Sequence, residues 1–175
     1  MVTTALATVL LGQTLSGPKI VVTLNNNRKF VIQTDQKGSP KSVKYIGDLV
    51  KKDFYSGILV HRVESWVVQW GDPLTKKGMN TPGIGTGGTG KTMAFEGSKI
   101  SFKRGVVGIA STAAKAGGDC QIFVLTRDMP HLDGNYAVLG KVVQGMDVVD
   151  KMKIGDKVVS MKLASIPVRK TGPRG

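Results

Sequence analysis

Most apolar positions of this chain fall into short runs of period two. Ile20-Val21-Val22-Thr23-Leu24 and Lys29-Phe30-Val31-Ile32-Gln33-Thr34 flank Asn25-Asn26-Asn27, a pattern that predicts a β-hairpin with an asparagine turn. Further strands are expected over residues 106–110, 122–125, 137–143 and 158–163. Between them, residues 60–73 read V-H-R-V-E-S-W-V-V-Q-W-G-D-P, a buried strand pair stopped by Gly-Asp-Pro. Val60, Val63, Val67 and Val68 suit a pleated, half-buried surface. Arg62 and Gln69 stand out, because a core excludes such groups unless they are paired. On this stretch alone, an arginine reaching solvent from an edge strand explains the pattern equally well.

Helical periodicity is rarer. Ser39 suits an N-cap and Pro40 the first helical position; Val43, Ile46, Leu49 and Val50 then form one apolar face, and Lys51 and Lys52 favour the negative end of the helix dipole. Gly145-Met146-Asp147 opens a short second helix with Val148, Val149 and Met152 on its apolar face. Residues 74–104 are rich in Gly and Lys and read as an extended surface loop. The chain therefore divides into one mostly β domain over 18–166, an uncharged leader over 1–17, and a basic tail over 167–175 that is expected to be disordered. The apolar run from Ala5 to Leu11 is too short for a membrane span and resembles an export signal. Periplasmic or secreted location is the expectation, with a cytoplasmic one as the alternative.

A length of 175 residues is enough to bury a full core, and 23 glycines agree with a loop-rich β architecture. A net charge of +13 implies salt-sensitive, non-specific adhesion to polyanions. The 25 Lys and Arg are scattered, without a recognition helix, an RNP-like aromatic run or zinc-finger spacing, which argues against specific nucleic-acid binding. Cys120 is the only cysteine, and His61 and His131 are the only histidines, so neither a disulfide framework nor a metal-ligand cluster is indicated and no cofactor is expected. Gly85 to Thr92, G-T-G-G-T-G-K-T, does match the phosphate-binding pattern G-x-x-x-x-G-K-[ST]. That pattern works only between a buried strand and a helix, because the helix N-terminus and the loop amides hold the phosphate together. Here Pro82 and several glycines precede it and Gly97 interrupts the residues after it, so the match reads as a by-product of a glycine-rich loop.

Four segments taken in order carry a more specific signal: H-R-V-E-S-W-V-V-Q-W-G-D-P at 61–73, G-T-G-G at 85–88, C-Q-I-F-V at 120–124, and P-H-L-D-G-N-Y-A-V-L-G-K-V-V-Q-G-M-D-V-V-D at 130–150. Together they resemble the cyclophilins over about residues 20–163. The resemblance implies a closed eight-stranded antiparallel β-barrel capped by two α-helices, and peptidyl-prolyl cis-trans isomerase activity on Pro-containing polypeptides. It implies Arg62 as the catalytic arginine with Gln69 as its partner, and Gln121 beside them. Trp66, Val67, Phe123 and Leu132 take the positions of the apolar wall, Tyr136 a position that is His or Tyr in the family, and Ala110 one on the strand lining the peptide groove. His131 stands where many members carry Trp, so the resemblance implies weak cyclosporin binding. The departures are one residue fewer between Val63 and Trp66, Trp70 for a glycine, and Val60 and Ile122 for phenylalanines. A module that holds Pro-containing segments without turning them over is the competing reading.

Overall fold

The computed structural model describes residues 15–164. The tail and all but the last three residues of the leader lie outside that range. The expected hairpin forms as β1 (Lys19–Leu24) and β2 (Lys29–Thr34), and the asparagine turn works because Asn26 and Asn27 tolerate the left-handed backbone it needs, at φ 63° and 58°. There follow α1 (Pro40–Lys51), β3 (Arg62–Glu64), β4 (Val67–Trp70), β5 (Val106–Ile109), β6 (Ile122–Leu125), β7 (Val138–Gln144), α2 (Met146–Asp150) and β8 (Val158–Leu163). No helix among the described residues is long and apolar enough to cross a membrane.

All eight strands join one antiparallel sheet in the order β3-β4-β6-β5-β7-β2-β1-β8. The closed barrel expected from the resemblance is corrected to an open half-barrel, because β3 and β8 at its two ends share no ladder. The segment before β3 meets the start of β8 and the residues before it, through the Leu59–Lys157 bridge and hydrogen bonds from Gly57 N to Val158 O (2.9 Å), Val60 N to Asp156 O (2.9 Å), Gly155 N to Val60 O (2.9 Å) and Val158 N to Ile58 O (2.8 Å). The reason is placement: the start of β8 lies opposite residues 57–60, upstream of β3, while β3 itself pairs with β4.

Side-chain alternation gives the sheet two apolar faces. Val68 and Trp70 on β4, Val107 and Ile109 on β5, and Ile122 and Val124 on β6 enter the main core with Phe30, Ile32 and the buried residues of α1. The opposite positions, Val67, Val106, Phe123, Leu125 and Val138, gather with Phe102 into a second cluster. Trp70 meets Phe30 edge to face at 5.9 Å, so the indole that replaces a glycine fills the main core rather than the site.

One local expectation fails instructively. Ser39 precedes α1 as foreseen, yet its side chain makes no capping hydrogen bond and its buried Oγ has no partner. The cap comes from 55 residues away: Glu96, in the long loop, accepts from Lys41 N (3.0 Å), Ser42 N (2.7 Å) and Ser42 Oγ (2.8 Å). A carboxylate satisfies two orphan amides at once and complements the helix dipole, which a serine hydroxyl cannot match. Glu96→Ala should therefore destabilise the fold by about 1–2 kcal/mol in urea denaturation, while Ser39→Ala changes it by less than about 0.5 kcal/mol. Equal losses in the two variants would return the cap to Ser39.

Candidate active site

The turn at Ser65-Trp66 sets the register of the β3–β4 hairpin, and that register places Arg62 directly across from Gln69. Arg62 Nη1 donates to Gln69 Oε1 at 3.2 Å and Arg62 Nε to Glu64 Oε1 at 2.6 Å, while the guanidinium lies 5.0 Å from the centre of the Trp66 ring. Gln69 in turn donates through Nε2 to Gln121 Oε1 at 2.8 Å, and both amides are buried. Gln121 Nε2 donates to the carbonyls of Gly85 (3.1 Å) and Gly87 (2.8 Å).

Beside this chain of hydrogen bonds opens a cavity of about 140 Å³ lined by Arg62, Trp66, Val67, Gln69, Ala110, Ser111, Phe123, Leu132 and Tyr136. Its floor is the second apolar cluster. Phe123 stacks on Phe102 and meets Tyr136 edge to face, each with ring centres 6.0 Å apart. Gly108, its neighbour across the β5–β6 ladder, makes room for the ring, since a Cβ there would collide with it.

Of the residues chosen from sequence, Arg62, Trp66, Val67, Gln69, Ala110, Phe123, Leu132 and Tyr136 thus border one cavity. Gln121 stands behind Gln69 and lines an adjoining glycine-rich groove of about 470 Å³. His131 is not brought in: it is exposed on a 3-10 turn over Pro130–Leu132, next to Leu132 but outside both linings. Sequence reasoning missed Glu64 and Ser111. Glu64 was visible as Arg-x-Glu on a strand, because residues two apart share a face.

The electrostatics follow from these contacts. Arg62 holds the Glu64 carboxyl below the usual carboxylate range, first through the hydrogen bond and then through its charge. Burial lowers the pKa of His61, whose two ring nitrogens have no hydrogen-bond partner; the Asp72 charge and the nearby Gln121 amide oppose the shift. Burial, and secondarily the Asp119 charge, pushes Cys120 up to about 12, so the thiol stays protonated at neutral pH and donates to Gly71 O at 3.2 Å. Among the described residues no three His, Cys, Asp or Glu converge as a metal site would require. What the arrangement does offer is a fixed cationic donor at the edge of an apolar cavity. Such a donor can stabilise a lone pair that develops on a bound group without any proton changing hands.

The phosphate-loop lookalike resolves in the same geometry. Gly85 N and Gly87 N point at Asp72 Oδ2 (2.6 and 3.0 Å), and Thr89 N at Asp119 Oδ2 (2.6 Å). Three of the loop's amides are thus held by the protein's own carboxylates.

An open antiparallel sheet with two helices, carrying an arginine–glutamine pair at an apolar pocket, defines a cyclophilin-like protein. The chain belongs to the cyclophilin type peptidyl-prolyl cis-trans isomerase family, whose pattern it matches over residues 19–172. It is 40% identical over 124 residues to a probable peptidyl-prolyl cis-trans isomerase of Brucella abortus, covering 68% of this chain and 63% of that one, so the match spans just under two thirds of that relative. A Helicobacter pylori peptidyl-prolyl cis-trans isomerase is 34% identical over 145 residues, with 80% and 83% coverage. In fold, the chain resembles the crystal structure of a Cryptosporidium parvum cyclophilin type isomerase with a TM-score of 0.74 at 19% identity, over 87% of this chain and all of that one.

His61 makes the stability of this region pH-dependent with a definite sign. Its folded pKa lies below its unfolded value, so between the two the unfolded chain binds more protons and stability rises with pH. The contribution is full above the unfolded value of about 6.5 and is lost as pH falls from there through the folded pKa. Chemical denaturation at pH 7 and pH 5 should show a drop that is smaller in His61→Gln; an unaltered drop in the variant would place its origin elsewhere.

Proposed function

We propose that this chain catalyses cis–trans rotation about Xaa-Pro peptide bonds in polypeptides, and so assists their folding. The observation that carries the reading is the Arg62 guanidinium, fixed by Gln69 and Glu64 at the mouth of the cavity walled by Trp66, Val67, Phe123, Leu132 and Tyr136.

The chemistry explains why the cation matters. An Xaa-Pro bond resists rotation because the nitrogen lone pair is delocalised into the carbonyl, with a barrier of ~18–20 kcal/mol. Twisting returns that pair to the nitrogen. A guanidinium held beside the proline can donate to the nitrogen only in the twisted state, so it binds the transition state more strongly than either planar ground state. In this reading Arg62 is the catalytic residue, Gln69 fixes its direction, and the apolar wall seats the ring. A module that only held Pro-containing segments would need the wall but not the tethered guanidinium.

Arg62→Ala should lower kcat/KM for a short Pro-containing peptide by ten-fold or more, the equivalent of about 1.4 kcal/mol, while the fold stays intact. Unchanged turnover in a folded Arg62→Ala protein would overturn the assignment of Arg62, and binding of the peptide without turnover by the unsubstituted protein would leave a binding module as the function.

His131 bears on inhibition rather than turnover. It stands outside the cavity lining, and it offers less apolar area than the tryptophan many family members have there. Loss of one such contact costs roughly 1–3 kcal/mol, or about ten- to a hundred-fold in affinity. Cyclosporin should therefore inhibit weakly, and His131→Trp should tighten inhibition by about ten-fold with kcat preserved. Tight inhibition of the unmodified protein would remove His131 from the argument.

A further inference from the structure

The glycine-rich loop has two sets of partners, and they lie on opposite sides of its backbone. On one side Asp72, fully buried, accepts from Leu74 N through Oδ1 (2.8 Å) and from Gly85 N and Gly87 N through Oδ2 (2.6 and 3.0 Å). On the other, the carbonyls of the same Gly85 and Gly87 accept from Gln121 Nε2 (3.1 and 2.8 Å). A side chain at Gly87 is excluded, because a Cβ there would lie within 2.9 Å of Asp72 and Leu74 atoms, the nearest contact being Asp72 Oδ1. The loop is clamped between a carboxylate and a glutamine.

That clamp sets the direction of each hydrogen bond between the loop and Arg62. A primary amide can be turned over with little change of shape, so a glutamine pair by itself has two nearly equivalent arrangements. Two carbonyls facing Gln121 admit only its NH₂ group. Its Oε1 must then face Gln69, Gln69 must answer with its NH₂, and Gln69 Oε1 is left to accept from Arg62. In the reversed arrangement an NH₂ group would confront the guanidinium, donor against donor.

We propose that Asp72, acting through Gly85 and Gly87, is a positioning residue that sets the orientation of Arg62. The inference rests on the isomerase reading above and adds to it a residue that does not line the cavity but is joined to it through the loop and the two glutamines, by hydrogen bonds in series. The loop that mimics a phosphate site is, on this view, an internal relay whose anion is Asp72.

The test is a double-mutant cycle on the full chain. Gly87→Ala forces the loop off Asp72, and kcat on a Pro-containing peptide should fall about ten-fold while KM stays within about two-fold. In an Arg62→Ala background the same substitution should change kcat by less than about two-fold, because the group it positions is gone. Lys91→Ala, in the same loop but outside the relay, should leave both constants unchanged. A Gly87→Ala effect of equal size in both backgrounds, or one confined to KM, would make the loop a wall of the peptide groove and overturn the proposal. If the unsubstituted protein shows no turnover, the isomerase reading falls and this inference with it; if turnover is present but Arg62→Ala has no effect, or is crippling yet uncoupled from Gly87→Ala, only this inference falls. A measurement on the unsubstituted protein guards against a variant that does not fold. Scalar coupling across the hydrogen bonds from Gln121 Nε2 to the Gly85 and Gly87 carbonyl carbons should be detectable by NMR, and its absence, with the Gln121 amide freely rotating, would overturn the relay.

Discussion

The Arg62 guanidinium is partly exposed, so water answers some of its demand for partners, and the side chains around it answer the rest and fix its direction. Arg62 finds Gln69 across the hairpin, Glu64 two residues along its own strand, and the face of Trp66 in the turn. Gln69 is buried and incurs the same demand, which passes to Gln121 and then to main-chain carbonyls. Only there does the series end, at groups whose own amides are held by Asp72. The series from Arg62 to the loop is unbroken, and a connected series of this kind fixes geometry in a way that apolar packing does not.

The sheet supplies the frame. Because successive side chains alternate, β4 can send Trp70 and Val68 into the main core while Val67 and Gln69 face the site, and β6 does the same with Ile122 and Val124 against Phe123. Each strand of the site is thereby anchored by its other face. This explains how the sequence tolerates Trp70 where a glycine is usual: the substitution falls on the core side, where Phe30 receives it. The shortened turn acts differently. It puts Trp66 in the two-residue reversal itself, so the ring that covers Arg62 also closes the hairpin.

Local patterns were readable to the extent that local physics decided them. The hairpin at β1 and β2, the boundaries of α1, and β6 and β8 follow from periodicity and turn residues within a few positions. The pairing of Arg62 with Gln69 was suggested by two polar residues in an apolar stretch, though it took the family resemblance to separate a site from an edge strand. Features set by distant segments were not legible. Glu96 capping α1 is a contact across 55 positions, and no local signal at Ser39 reveals that its hydroxyl will be left without a partner. Closure of the barrel is of the same kind, since it depends on which residues around β3 meet the distant β8, and these are 57–60, before β3 begins.

The phosphate-loop pattern shows why a motif must be judged by the partners of its backbone. Two of its glycines, Gly87 and Gly88, let the backbone approach a negative charge closely, while Gly85 and Gly90 supply left-handed backbone at φ 96° and 83°, and the first requirement is the same whether the charge is a bound phosphate or a carboxylate of the chain. Here Gly87 leaves no space for a Cβ against Asp72, and a Cβ at Gly88 would press into the carboxylate of Asp119. The resemblance to a nucleotide site is therefore more than accident, because both loops solve one problem, the solvation of an anion by main-chain amides. The difference between them is where the anion comes from. A carboxylate belonging to the chain is present from the moment of folding, which makes the loop rigid before any substrate arrives and lets its carbonyls serve as fixed acceptors for Gln121.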